Sequence, residues 1–239
     1  MSLLSLYAVS KSYGALKVKD NITLSVTQGE TLGILGPNGA GKTTLFNLIS
    51  GDTKVDSGRV EFKGIDMTAV PSYVRCREGI GRSYQVPQPF ANLSVFENLV
   101  TAACFGGGET EAQAWETAYK VLEQTGLIQF ANKPAGSLTL LNRKRLELAR
   151  ALATTPELLL LDEIAGGLTQ HEAQELVEEL KRIKDTGVTM IWIEHVVHAL
   201  LSVADRLFVI NFGQELAQGL PHDVMNDPEV KRVYMGMEV

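Results

Sequence analysis

The chain has 239 residues, of which 45% are hydrophobic and 21% are charged, and these proportions argue against a disordered, collagen-like or coiled-coil protein. Its net charge of −6 argues against a broad nucleic-acid-binding surface, which needs clustered positive charge. The two cysteines are too few for a disulfide framework and fit a reducing, cytoplasmic setting. We identify no signal peptide and no apolar run near the ~20 residues of a membrane helix, so we expect a soluble chain.

Alternating patterns near the N-terminus predict antiparallel strands. Apolar and polar residues alternate over residues 3–9, 21–26 and 59–63, which is typical of strands with one exposed face. Residues 30–35 form a further strand that runs into a glycine-rich loop, and an apolar-periodic stretch follows at residues 43–49. The sequence therefore predicts a strand, a loop and a helix in this order.

The middle of the chain, from about residue 88 to 153, is predicted to be mostly helical. A first helix over residues 94–104 opens with the Ser-x-x-Glu spacing of a capping box. Two more helices are expected at about residues 109–124 and 140–153. We interpret this stretch as an inserted helical subdomain.

Strands and helices alternate after the insertion. Residues 157–161 and 188–193 are short apolar runs, as expected for strands that are buried on both faces. Between them, a second capping box at residues 169–172 begins another helix. Residues 207–211 and 215–217 are expected to form a hairpin. This alternation predicts a mainly parallel α/β sheet.

A glycine-rich loop after the strand at residues 30–35 matches the phosphate-loop pattern G-x-x-x-x-G-K-[ST]. Its residues are Gly36, Pro37, Asn38, Gly39, Ala40, Gly41, Lys42, Thr43 and Thr44. Glycines allow the backbone N–H groups to approach a phosphate closely, and the following helix points its positive end at the anion. We expect Lys42 to reach the β- and γ-phosphates and the Thr43 hydroxyl to bind Mg²⁺. A chance glycine-rich turn is the alternative, and the flanking strand and helix argue against it.

Two adjacent carboxylates, Asp162 and Glu163, end the predicted strand at residues 157–161. The carboxyl ends of parallel strands face the ligand crevice of such a sheet. We expect Asp162 to hold Mg²⁺ through water and Glu163 to polarise an attacking water, since nucleotide hydrolysis depends mostly on positioning and charge stabilisation. A solvated acidic turn is the alternative, and the phosphate loop earlier in the chain makes it the weaker one.

Together, these motifs resemble the nucleotide-binding subunit of ATP-binding cassette (ABC) transporters, over essentially the whole chain. The resemblance implies an α/β fold, namely a P-loop NTPase core with a mainly parallel sheet, a small antiparallel β subdomain and a helical insertion. It implies one ABC ATPase domain over residues 1–239, with residues 1–87 and 154–239 as the core and residues 88–153 as the helical subdomain. Two such subunits sandwich two ATP molecules with Mg²⁺, and hydrolysis reopens them.

The resemblance also gives roles to three more residues. Tyr13 matches the aromatic residue that stacks on adenine, Gln85 the glutamine that contacts Mg²⁺ and water, and His195 the histidine that contacts the γ-phosphate. The alternatives are a strand-end tyrosine, a solvated glutamine and a structural histidine. His195 and His198 do not indicate a zinc site, because no further ligands stand at suitable spacing. The predicted catalytic residues are therefore Glu163, His195 and Gln85, and the predicted Mg²⁺ ligands are Thr43, Gln85 and Asp162.

The signature segment is where the chain departs from the family. Residues 138–142 read Leu-Thr-Leu-Leu-Asn, whereas the family has Leu-Ser-Gly-Gly-Gln. Thr139 keeps a hydroxyl where the family caps the γ-phosphate of ATP on the opposite subunit. Leu140 and Leu141 replace two glycines, and the segment after Glu163 lacks the aspartate of the family's Ser-Ala-Leu-Asp. A weakened or asymmetric site is therefore one interpretation.

Other phrases look like the ATPases of branched-chain amino-acid-type uptake systems. They lie at residues 79–85, 92–99 and 226–236. The resemblance implies an importer at the cytoplasmic face of the inner membrane, with a second ATPase subunit, two membrane permease subunits and an external solute-binding protein. We expect residues 86–105 to form the groove that accepts a permease helix. A regulatory, hydrolysis-impaired subunit of a heterodimer is the alternative; a DNA-repair or translation protein fits a single, acidic cassette poorly.

Overall fold

The structure is a computed structural model that describes residues 2–235 and the side chains of residues 2–233. Gly236, the end of the last subgroup phrase, lies outside the described residues. The chain divides into two units: the first combines the residues up to Ser72 with those from Ile191 onward, and the second is Tyr73–Met190. The predicted division into a nucleotide-binding core and a helical subdomain at residues 88–153 stays a prediction.

The described part of the chain contains the predicted strands and helices in the predicted order, together with short elements that were not predicted. The strands are β1 (Ser2–Tyr13), β2 (Leu16–Thr27), β3 (Thr31–Leu35), β4 (Ser57–Phe62), β5 (Ile65–Asp66), β6 (Ile80–Ser83), β7 (Leu158–Asp162), β8 (Thr189–Ile193), β9 (Arg206–Asn211) and β10 (Gln214–Gly219). The helices are α1 (Lys42–Ser50), α2 (Ser72–Arg77), α3 (Val95–Phe105), α4 (Glu111–Gln124), α5 (Leu140–Leu152), α6 (Gln170–Asp185), α7 (Val197–Leu201), α8 (Pro221–Asn226) and α9 (Pro228–Met235).

The first unit contains an antiparallel sheet in the order β2-β1-β4-β5. The predicted antiparallel strands are therefore confirmed, but β1 and β2 each extend to 12 residues. They form a hairpin that turns through Gly14, whose φ of 60° suits a glycine. The sheet buries an apolar face through Leu4, Leu6, Val9, Ile22, Leu24, Val26, Val60 and Phe62.

The first unit also contains the strands that carry the phosphate loop. β3 pairs in parallel with β9, and β9 pairs with β10 as the predicted hairpin. All five residues of β3 are buried. A side chain at Gly33 would place its Cβ 2.7 Å from Leu207, so the glycine allows close packing of β3. The loop therefore starts from a fixed, buried strand.

In the second unit, β6 and β7 pair in parallel, and α3, α4 and α5 pack around one apolar cluster. The predicted capping box of α3 is confirmed: the Ser94 hydroxyl accepts from the Glu97 N–H, and the Glu97 carboxylate accepts from the Ser94 N–H at 2.7 Å. The backbone N–H of Ser94 and then its hydroxyl, which both donate to this carboxylate, lower the pKa of Glu97. The capping box of α6 is likewise present. Among the described helices, none combines the length and the apolar character that a membrane crossing requires.

Asn98 is a fully buried polar residue in the first turn of α3. Its side-chain oxygen accepts from the Phe90 N–H at 2.9 Å, and its amide donates to the Phe90 and Ser94 carbonyls at 3.1 and 2.9 Å. We expect Asn98→Ala to lower the free energy of unfolding by about 1–3 kcal/mol, because it leaves the Phe90 N–H without the Asn98 oxygen as its acceptor. Urea denaturation checks this, with the exposed hydrogen bond of Thr101 removed as the control. Equal effects of Asn98→Ala and Thr101→Ala would contradict it.

Candidate functional site

The glycines of the phosphate loop are required by the geometry of its backbone. Gly39 and Gly41 have φ angles of 81° and 86°, in the left-handed region that favours glycine. A Cβ at Gly36 would lie 2.4 Å from the Ile210 carbonyl oxygen. A larger residue at these positions would therefore displace the loop.

Lys42, the first residue of α1, lies across this loop. It is buried, and its ammonium donates to the carbonyls of Gly36 at 2.7 Å and Pro37 at 3.1 Å. Gly41 caps α1 without a side-chain hydrogen bond. The side chain of the N-cap residue therefore does not cap the first N–H groups of α1. Backbone N–H groups at a helix N-terminus are groups that bind phosphate. The loop fits the phosphates of a nucleotide.

Two other predicted residues of the first unit lie at strand ends and are exposed. Tyr13 ends β1 and is 49% exposed, with the Lys11 ammonium 5.5 Å from the centre of its ring. His195 follows β8, and its backbone N–H donates to the Glu194 carboxylate at 2.9 Å. Both side chains are accessible to a ligand, and their roles at adenine and γ-phosphate stay predictions.

The structure brings Gln85 and Glu163 into direct contact in the second unit. The Gln85 amide donates to the Glu163 carboxylate at 2.5 Å. Glu163 has a φ of 47°, a left-handed conformation that costs energy for a residue with a side chain and is often found at functional sites. Asp162, at the end of β7, is buried and forms an ion pair with Arg82 at 3.2 Å. All three offer oxygen atoms, which Mg²⁺ prefers as ligands.

Three buried or nearly buried basic residues were not identified from the sequence, two of them beside these groups and one beside the phosphate loop. Arg82 is the partner of Asp162. Lys144, from α5, donates to the carbonyls of Gln85 at 2.6 Å and Glu163 at 3.3 Å. Lys19, from β2, lies under the phosphate loop, with its ammonium donating to a loop carbonyl. Sequence patterns give no signal for these lysines and this arginine, because charge alone predicts exposure.

The signature segment begins α5. Thr139 is its N-cap, and its hydroxyl accepts from the Asn142 N–H at 3.4 Å. Leu140 is 46% exposed, whereas Leu141 is only 9% exposed. One of the two leucines that replace glycines is therefore presented at the surface, and the other packs inward.

Comparisons with known proteins agree with this geometry. A family model described as ABC transporter matches residues 19–166. The high-affinity branched-chain amino acid transport ATP-binding protein LivG of Salmonella typhimurium is 33% identical, with 98% of each chain covered. The lipopolysaccharide export system ATP-binding protein LptB of Haemophilus influenzae is 34% identical, with 99% of this chain and 98% of LptB covered.

A solved structure supports the same fold. The nucleotide-free ATP-binding cassette of an ABC transporter superposes with a TM-score of 0.89, at 32% identity, over 99% of this chain and 100% of that chain. A cassette in its ADP conformation gives a TM-score of 0.88 at 32% identity, over 99% and 100% of the two chains. The predicted α/β fold with a P-loop NTPase core is confirmed.

Proposed function

Because the chain belongs to the ABC transporter family of ATP-binding subunits, whose ATP hydrolysis is coupled to transport, we propose that it powers the uptake of branched-chain or other hydrophobic amino acids, or related small carboxylates. The observation that carries this proposal is the similarity to LivG over nearly the whole chain. LptB, an export protein, is equally similar, so export of a lipid is the competing outcome of the test.

We propose that each catalytic residue acts on one part of ATP. The loop N–H groups and Lys42 hold the phosphates, and Tyr13 stacks on adenine. Thr43, Asp162 and Gln85 would hold Mg²⁺, which neutralises phosphate charge when bound. Glu163, which is oriented by its hydrogen bond from Gln85, accepts a hydrogen bond from the attacking water. His195 contacts the γ-phosphate.

We further propose that the chain works as a dimer on the cytoplasmic face of the inner membrane. Thr139 and the N-terminus of α5 would face the ATP of the second ATPase subunit. Two permease subunits and an external solute-binding protein complete the importer. Leu140, which is exposed at the same helix end, supports the competing proposal of a regulatory subunit in a heterodimer.

A groove beside α3 is the surface that we propose for a permease helix. It is lined by Leu93, Ser94, Phe96, Glu97, Val100, Thr101, Glu111, Trp115 and Asn132. The rings of Phe96 and Trp115 meet edge to face, with centroids 5.3 Å apart, and give the groove an apolar side. Part of the predicted segment 86–105 therefore lines this groove.

Uptake of labelled leucine in a strain without this gene tests the proposal. The wild-type chain and the exposed variant Lys54→Ala should restore uptake. Lys42→Ala should leave it at the background of the deletion strain, because the loop then loses the buried cation at the start of α1. Val100→Asp should lower uptake without lowering phosphate release by the purified chain. Leucine uptake that does not change when the gene is deleted would refute amino-acid import and direct the search to lipid export.

A further inference from the structure

Lys19 is a buried cation beneath the phosphate loop. It lies in β2 with no exposed surface, and its ammonium donates to the Ala40 carbonyl at 3.1 Å. Its Cε lies 3.1 Å from the place where a Cβ at Gly41 would stand. The side chain therefore supports the loop from the side of β2, and all of these residues belong to the first unit. Lysine is almost never fully buried unless it is paired with an opposite charge.

No carboxylate of the described chain binds the Lys19 ammonium, and Ala40 supplies its one hydrogen-bond acceptor. The charged group that acts on it is Lys42 of α1, which has the same sign. Two cations thus lie close together at a loop built for phosphate. Each is stabilised by a negative charge at that loop, and each is destabilised by the other.

The acidic groups nearest to Lys19 in sequence and register are bound elsewhere. On β2, Asp20 pairs with Lys17 and accepts from Gln214 of β10. On β1, the residue opposite Lys19 is Lys11, which pairs with Asp56. The phosphate loop itself, residues 36–41, contains no titratable side chain. The acidic residue of β10, Glu215, is exposed. The described elements around Lys19 therefore offer its ammonium a second cation but no hydrogen-bonded anion.

We propose that Lys19 is a positioning residue for the phosphate loop and that it couples nucleotide binding to the uptake of a proton. Its hydrogen bond holds the Ala40 carbonyl on the side of β2 and so fixes the backbone of the loop that receives the phosphates. Bound phosphates favour the charged ammonium, and by linkage the charged ammonium strengthens phosphate binding. The inference rests on nucleotide binding at this loop and is independent of the transported solute.

The direction of the pH dependence follows from the free protein. Burial, and then the charge of Lys42, lower the pKa of Lys19 to about 7. Well below that pH, Lys19 is charged before and after binding, and no proton is taken up. Above it, the free protein has a neutral Lys19 and binding brings a proton, so affinity falls as pH rises. A pKa raised by about one unit in the complex gives about a tenfold loss of affinity.

Calorimetric titration of the full chain with MgADP tests this inference, because the lack of a γ-phosphate avoids the proposed contact of His195. The titration is done between about pH 6 and pH 9 in two buffers with different ionisation enthalpies, which reveal the protons bound. The wild-type chain should take up a fraction of a proton near pH 7–8 and lose about tenfold in affinity by pH 9. Lys19→Met should bind more weakly at pH 6 and show neither effect.

Lys17→Met is the matched control, since Lys17 lies two residues away on β2 with a side chain that is 53% exposed. It should behave as the wild-type chain. Proton uptake that is absent in the wild-type chain, or that survives in folded Lys19→Met, overturns the proposal. If Lys19→Met does not fold, Lys19→Gln takes its place in the titration, and the same two outcomes overturn the proposal. Leucine uptake has no bearing on this result, so the inference and the proposed transport function fail separately.

Discussion

Replacing Glu163 by Gln should abolish steady-state phosphate release by the purified chain while MgATP binding persists. Glutamine keeps the size of the side chain and an oxygen that can accept from Gln85, as Glu163 does at 2.5 Å. It loses the negative charge that we propose polarises the attacking water. Removing such a group costs about 10²–10⁴-fold in rate, which phosphate release measures directly.

Glu157→Gln is the matched control, because Glu157 is an exposed carboxylate just before β7. It should release phosphate at the wild-type rate. Equal turnover by Glu163→Gln and the wild-type chain would remove Glu163 from the proposed mechanism. A wild-type chain that binds ATP without releasing phosphate would instead favour the regulatory subunit, with the exposed Leu140 as the first residue to replace by glycine.

Replacing Arg82 by Met should lower the free energy of unfolding by about 3–5 kcal/mol, because it removes the cation that faces a buried carboxylate. The side chains of Arg82 and Asp162 are only 6% and 3% exposed, and their charged groups lie 3.2 Å apart. Methionine keeps much of the length of the aliphatic stem, so lost packing contributes less than lost charge. Urea denaturation measures the change.

A double variant separates charge from packing. Arg82→Met with Asp162→Asn should be less destabilised than the sum of the two single variants, since residues of one ion pair are coupled. Arg77→Met, at an exposed arginine of α2, is the control and should change stability by less than about 0.5 kcal/mol. Additive effects of the two single variants would show that the ion pair does not contribute.

The sequence predicted elements whose signal is local and missed those that depend on distant partners. The apolar run of β7 and the capping box at Ser94 and Glu97 are properties of a few adjacent residues, and both are confirmed. β6 has only four residues, two of them Gly81 and Arg82, and no apolar run. It is a strand because it pairs with β7. A reading of local patterns therefore could not find it.

The residues of the candidate site also divide into those with a local sequence signal and those without one. The phosphate loop and the acidic pair carry fixed spacings, so they were found from the sequence. Lys19 was missed because Asn21, with a φ of 57°, breaks the alternation of β2. The buried residues of β2 are therefore not evenly spaced along the strand. Only the fold shows which faces of the strand are covered.

Lys144 connects α5 to the main chain at Gln85 and Glu163. Its ammonium holds the main-chain oxygens of both Gln85 and Glu163, and it lies on the helix that begins at Thr139. Neither segment can move away from α5 without breaking one of these partly buried hydrogen bonds. A displacement of α5 must therefore either break these hydrogen bonds or move the main chain at Gln85 and at Glu163 together.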